Sequence, residues 1–214
     1  MNRADIGIVT GLQAEARWLA KAGFKIAVGG GTPPGAAAAA RRLLAEGVAA
    51  LVSFGLAGGL RPGLRPGAVL VPPLILTESG AYACDSRLLR FLGGATSGPL
   101  LGGGEIAATP AAKARLFHQH RADAIDLESG AVAEIAAAAA RPFAALRAVA
   151  DPAERALPAA ALTALRPDGG LNLPGIAASL LRRPGQIPDL IRAGRDAAAA
   201  RHALAGRLRA LPRS

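Results

Sequence analysis

Apolar residues recur along this chain in short runs, and the runs alternate with stretches of helical spacing. Ile6–Val9, Lys25–Val28, Ala50–Phe54, Ala68–Val71, Leu74–Leu76, Glu105–Ala108, Ala122–Ile125 and Phe143–Val149 read as strands. Gln13–Ala22, Gly35–Glu46, Ser86–Leu92, Pro110–His118 and Ser129–Ala140 read as helices between them. Arg41, Arg42 and Glu46 mark the wet side of the alanine-rich second helix, and Pro110 suits a first helical turn. This alternation predicts an α/β fold, a parallel or mixed sheet with helices on both faces. Ligands on such sheets gather at the carboxyl ends of strands.

The character changes after Ala153. Leu157–Leu165 and Gly175–Leu181 are helical by pattern, separated by Pro167-Asp168-Gly169-Gly170, and Pro184-Gly185 makes a second break. Pro188–Leu211 reads as one long helix, with Leu190, Ala193, Ala197, Leu204, Leu208 and Leu211 on one face. The expected organisation is a single domain over 1–214, with 155–214 as a helical C-terminal extension. There is no internal repeat.

Composition narrows the class. With 214 residues, 51% of them apolar, the chain can fill a sizeable core. The single Cys84 excludes an internal disulfide and fits a reducing cytosol. The N-terminus enters an apolar strand at once, so no signal peptide is expected, and apolar stretches end before the roughly 18 residues a membrane span needs. The net charge of +10 invites an anionic partner. Yet only Lys21, Lys25 and Lys113 are lysines among 25 basic residues, a bias that comes with the abundant Ala, Gly and Pro. At 3% aromatics, stacking platforms for nucleic acid are not expected. The expectation is a cytoplasmic protein without a nucleic-acid partner, with peripheral attachment to an anionic membrane left open. His118 and His120 lack a Cys or carboxylate at ligand spacing, so no metal is expected.

The candidate chemistry lies in carboxylates that follow strands: Glu15, Asp126 and Glu128, and Asp151. Carboxylates brought to one crevice can divide the work of holding a substrate and passing a proton. Each has a plain structural reading of equal weight. Glu15, Asp126 and Glu128 sit at helix starts, where the dipole favours negative charge. Asp151 ends an apolar strand and needs either a partner or a function. Gly29-Gly30-Gly31-Thr32 could cradle an anion with backbone N–H groups or be a simple turn. Gly55-Leu56-Ala57-Gly58-Gly59 could let a flat ligand approach the backbone or be a strand-to-loop turn.

Taken together and in order, Ile6–Glu15, Ser53–Leu60, Asp126–Ala131 and Arg147–Asp151 resemble the purine nucleoside phosphorylase and methylthioadenosine/adenosylhomocysteine nucleosidase superfamily, over roughly residues 5 to 155. The resemblance implies a three-layer fold with a central mixed β-sheet flanked by helices. It implies cleavage of a purine N-glycosidic bond without a cofactor, inorganic phosphate being a co-substrate if the enzyme is a phosphorylase. By the same resemblance Glu15 positions the attacking water, Glu128 binds the ribose hydroxyls beside Leu127 and Asp126, and Asp151 passes a proton to N7 of the purine. Leu56, Ala57 and Gly58 wall the ribose, and Gly30, Gly31 and Thr32 would hold phosphate. The chain departs from the pattern in places. The aromatic that stacks on the base has no counterpart, Ile106 and Ala107 falling nearest. Ser53 stands where hexameric phosphorylases place an arginine, Leu56 replaces a Ser, Ala150 stands where a Ser precedes the aspartate, and the first inter-strand loop is short. The tail, Leu157-Pro158 through Arg166-Pro167-Asp168-Gly169 to Leu180–Arg192, resembles the hopanoid-associated phosphorylases, assigned to adenine release from adenosylhopane. A homo-oligomer, favouring a dimer, is implied as well. Three readings stay open: this reaction on a lipid nucleoside, the same reaction on a soluble nucleoside such as methylthioadenosine, and a non-enzymatic basic module that binds membranes or nucleic acid.

Overall fold

A computed structural model describes residues 2–104, 106–163, 170 and 172–212. Among them nine strands form one mixed sheet. The strands are β1 (Ile6–Thr10), β2 (Lys25–Val28), β3 (Ala50–Gly59), β4 (Val69–Leu70), β5 (Leu74–Thr77), β6 (Gly80–Ala83), β7 (Leu100–Gly102), β8 (Ala124–Asp126) and β9 (Phe143–Asp151). The helices are α1 (Gln13–Leu19), α2 (Pro33–Ala45), α3 (Ser86–Phe91), α4 (Pro110–His120), α5 (Ser129–Ala138), α6 (Ala159–Leu162), α7 (Leu173–Arg182) and α8 (Ile187–Ala210). Thr32 and Thr109 cap α2 and α4 by accepting a backbone N–H, each with Pro in the first turn.

The sheet divides around β3. Its first part runs parallel to β1 and β9, while Gly58 and Gly59 pair antiparallel with β8. Because β9 still pairs at Gly58, the neighbour that changes lies on the other edge of β3, from β1 to β8, and those two strands part there. A bulge marks the change: Ala57 faces Val149, but Gly58 faces Asp151, leaving Ala150 as the extra residue. Bulges re-aim side chains and often lie beside functional sites.

Helices flank this sheet as expected. Small residues let α2 and α5 pack closely: Ala36, Ala39 and Ala40 of one helix and Ala133 and Ala136 of the other are buried. A Cβ on Gly130 would collide with the Gly102 carbonyl, so only glycine lets the start of α5 settle on β7. α8 covers β9, β3 and β4. Its Ala200, Leu204 and Leu208, with Leu211 just beyond, are buried, so this half of the apolar stripe serves packing.

Several elements differ from the sequence reading. Glu105 lies outside the described residues, and 106–108 are irregular rather than a strand; the strand is β7, a few residues earlier. Gly55–Gly59 is not a turn but the continuation of β3. β6 was not anticipated; it forms a hairpin with β5. Of the helix expected over Leu157–Leu165, Ala159–Leu162 is helical, and 164–165 and the Pro167–Gly169 turn lie outside the described residues.

Candidate functional site

The divided sheet opens a cavity of about 290 Å³ where β1, β3, β8 and β9 end. Its wall includes Glu15 from α1, Leu56, Ala57 and Gly58 from β3, Asp126, Leu127 and Glu128 from the β8–α5 junction, and Asp151 from the end of β9. Ile106 and Ala107 line it as well, Ile106 being exposed. Gly31 reaches the cavity, whereas Gly30 and Thr32 do not line it. The Thr32 hydroxyl is used to cap α2.

Asp126 and Glu128, two residues apart, do different things. Asp126 Oδ1 accepts the backbone N–H groups of Glu128 and Ser129 at 2.9 and 2.8 Å, and Oδ2 accepts the Ser129 hydroxyl at 2.5 Å. That is the helix-start role. Glu128 makes no such cap and turns into the cavity. Glu15 is intermediate: its carboxylate accepts the Thr10 hydroxyl, and its backbone N–H donates to the Leu12 carbonyl at the start of α1. Among the described residues, the buried side-chain oxygens that take no hydrogen bond are Glu15 Oε1 and Glu128 Oε1. Such atoms are costly unless something else satisfies them.

A guanidinium holds this cluster together. Arg147, in the middle of β9, is fully buried. Its Nε lies 2.5 Å from Asp126 Oδ2, and its Nη2 donates to Ser53 Oγ at 2.5 Å and to Ser129 Oγ at 3.0 Å. Nη1 lies 3.7 Å from Glu128 Oε2. Glycine at 55 is required here, because a Cβ would collide with Nη1 of Arg147. Gly11 likewise gives Glu128 room: a Cβ there would lie 2.9 Å from Oε2.

Asp151, on the other side of the cavity, pairs with a fully buried Lys113 from α4 at 2.6 Å. Burial makes all three carboxylates hold their protons more tightly than usual. For Glu128, burial and the neighbouring carboxylates outweigh Arg147 and raise its pKa to about 7. Burial raises Glu15 against the Thr10 hydrogen bond and Arg147. It also raises Asp151 against the hydrogen bond and charge of Lys113. Carboxyl groups with raised proton affinity suit the holding and passing of protons.

Arg147 and Lys113 were not among the sequence candidates. Signals existed for both. Arg147 interrupts a nine-residue strand that is otherwise apolar up to Asp151. Lys113 lies three and four residues before Leu116 and Phe117, on the helix face that packs inward.

A family model described as the Phosphorylase superfamily matches residues 8–85 and 78–169. The chain belongs to that superfamily. No curated protein matches the sequence. Solved structures share the fold. A 5′-methylthioadenosine/S-adenosylhomocysteine nucleosidase from Neisseria meningitidis, in complex with methylthio-immucillin-A, superposes with a TM-score of 0.67 at 17% identity, covering 96% of this chain and 99% of that one. The Helicobacter pylori nucleosidase of the same name gives 0.68 at 15% identity over 99% of this chain and 100% of that one. A futalosine hydrolase mutant from Helicobacter pylori gives 0.60 at 17%, covering 67% of this chain and 88% of that one.

Proposed function

We propose that this superfamily member hydrolyses the N-glycosidic bond of a purine nucleoside and releases adenine. The observation that carries the reading is the pair of buried oxygens, Glu15 Oε1 and Glu128 Oε1, left without a protein partner at one cavity. A water and the ribose hydroxyls would supply the missing hydrogen bonds. Bond cleavage develops an oxocarbenium-like ribose and negative charge on the base. Glu128 would hold the ribose hydroxyls more tightly as the ring becomes electron-poor, and Glu15 would orient the water. Protonated Asp151, across the cavity, would neutralise the departing base at N7.

Water is favoured over phosphate as the nucleophile by charge. A phosphate entering beside Arg147 would also meet Glu15 and Glu128, while Ser53 and Ser129 are already engaged by the guanidinium.

For the 5′ group, the resemblance of the tail points to adenosylhopane. The lining, which is largely apolar, supports a bulky hydrocarbon substituent. A second cavity of about 330 Å³, with Glu78, Arg115 and His120 in its wall, adjoins the first at Ile106, Ala107 and Ile125. The soluble alternative, methylthioadenosine or adenosylhomocysteine, rests on what the structural neighbours are named for. Comparing adenine release from adenosylhopane and from methylthioadenosine separates the two: a higher kcat/KM for the soluble substrate would reverse the assignment.

A lipid nucleoside has to be met at a membrane. No helix among the described residues is long and apolar enough to cross one. α7 has no buried residue, and Leu173, Leu181, Ile187 and Ile191 are exposed, followed or accompanied by Arg182, Arg183 and Arg192. Apolar side chains flanked by arginines suit the interface of an anionic bilayer. Two copies joined by this face would bring like charges together. The homodimer of the resemblance is retained in this reading through a different surface, the exposed Ile106 at the cavity mouth being a wall that a second copy could complete.

A further inference from the structure

Lys113 is the one buried residue of α4, with its side chain wholly covered. Its Nζ lies 2.6 Å from Asp151 Oδ2, 2.8 Å from the Pro152 carbonyl and 2.7 Å from the Arg155 carbonyl. An ammonium has three N–H donors, and the site offers three acceptors. A neutral amine, with two, would leave one acceptor unpaired. Burying a cation is expensive, and a methionine or leucine would tie α4 to the neighbouring loop at lower cost. The lysine therefore answers a local need, and its ionic partner is the carboxylate that lines the substrate cavity.

The other charges around Asp151 are few. Arg155, in the loop after β9, and Asp196, on α8, both act on it, and they pair with each other at 2.6 Å. β3 contributes Gly58, which has no side chain. Behind Asp151 is a separate polar cavity of about 240 Å³, lined in part by Glu154, Arg155, Asp189, Arg192 and Asp196. Asp151 thus stands between the substrate cavity and a polar cavity.

We propose that Lys113 is a positioning residue for Asp151: its ammonium fixes Oδ2, leaves Oδ1 to carry the proton, and stabilises the carboxylate formed when that proton leaves. The inference rests on the reaction proposed above. In that reaction the C1′–N9 bond breaks, its electron pair goes to the base and the proton of Asp151 goes to N7, while the oxygen of water bonds to C1′ and gives one proton to Glu15. Asp151 becomes a carboxylate beside the Lys113 side chain, 2.6 Å away. Its next proton comes from water, and the polar cavity reaches Asp151 without passing the substrate. Burial raises the proton affinity of Asp151, and Lys113 opposes that rise, so the acid stays strong enough to give its proton up.

The test uses Lys113→Met, with Lys113→Gln as a second neutral variant that keeps two N–H donors. The titration of Asp151 is followed in the unliganded proteins by NMR of ¹³C-labelled aspartate, assigned by loss of the signal in Asp151→Asn. This readout does not depend on turnover, so it is informative even if no nucleoside proves to be a substrate. Removal of the cation is expected to raise the Asp151 midpoint by about one pH unit or more, a tenfold change in proton affinity. With a nucleoside that turns over, the basic limb of kcat/KM moves up with it while kcat falls about tenfold or more. In the Asp151→Asn background, Lys113→Met is expected to cost no further activity. A folded neutral variant whose Asp151 midpoint and basic limb stay where they are in the parent protein would overturn the proposal, since a purely structural lysine moves neither. If neither neutral variant folds, Lys113→Arg decides: the midpoint is expected to hold within about half a unit, and a rise of a full unit with the charge retained would refute the role.

Discussion

Replacing Glu128 by glutamine should stabilise the protein in one pH range while removing activity. The buried carboxyl of Glu128 is raised from its ordinary 4.5 to about 7, first by burial and then by Asp126 and Glu15, against the attraction of Arg147. Below pH 4.5 the group is neutral in the folded and unfolded chains alike, and its burial carries no ionic penalty. Between 4.5 and about 7 the unfolded chain releases the proton and the folded chain does not. Stability therefore falls with rising pH across that window, by up to about 1.4 kcal/mol per unit. Summed over the window the loss is on the order of 3 kcal/mol, and it persists above pH 7. Glutamine has no proton to lose. Urea unfolding followed by circular dichroism at constant ionic strength, from pH 4.5 to 8, measures both proteins. The stability of the parent minus that of Glu128→Gln should fall by about 3 kcal/mol across the range and then level off. Glu15 and Asp151, also raised by burial, are present in both proteins and largely cancel. Parallel curves for the two proteins would show that Glu128 titrates normally and would remove the physical basis for its role.

Asp151→Asn should lower adenine release by about 10²–10⁴ while the thermal transition stays cooperative, and near-parental turnover would exclude Asp151 as the acid. Arg147→Met should destabilise the fold by about 3–5 kcal/mol, because Asp126 is left as a buried charge without its cation; a change under 1 kcal/mol in urea unfolding would mean that Asp126 is otherwise compensated. Vesicles containing anionic lipid should bind the protein at low salt and release it as salt rises, and Leu181→Glu with Ile191→Glu should abolish binding. Equal partitioning to neutral and anionic vesicles would contradict the membrane reading.

The sheet order was readable only in part from the sequence. Apolar runs located β1 and β9 because those strands are buried, and β2 although only its Ala27 is, while alanine-rich spacing located α2 and α5. Gly55–Gly59 looked like a turn because glycine usually breaks strands. Here the strand continues, and its small residues are needed because the Arg147 guanidinium approaches from a neighbouring strand, a cause remote in sequence. The alternating residues near Glu105–Ala108 resembled a strand, yet Ile106 and Ala107 line the cavity without pairing. The β6 segment Gly80–Ala83 is too short and too exposed to announce itself. Within the site, Glu15, Glu128 and Asp151 were found by their place after strands, which fixes where a residue sits but not what it touches. The division of labour between Asp126 and Glu128 depends on which carboxylate meets the N–H groups of α5, and that was not legible. Arg147 and Lys113 are buried by partners far away in the chain, and composition alone made them look like two more solvated cations.

The most direct test of the central claim is adenine release in phosphate-free buffer. The purified protein is incubated with adenosylhopane in detergent, Asp151→Asn serving as the control, and the products are identified by mass. Hydrolysis should give free adenine and a ribosyl hopane with a hydroxyl at C1′, at a rate unchanged when phosphate is added. Release of adenine only in the presence of phosphate, with a 1-phosphate product, would contradict water as the nucleophile, and no release from adenosylhopane or any soluble purine nucleoside would contradict the reaction itself.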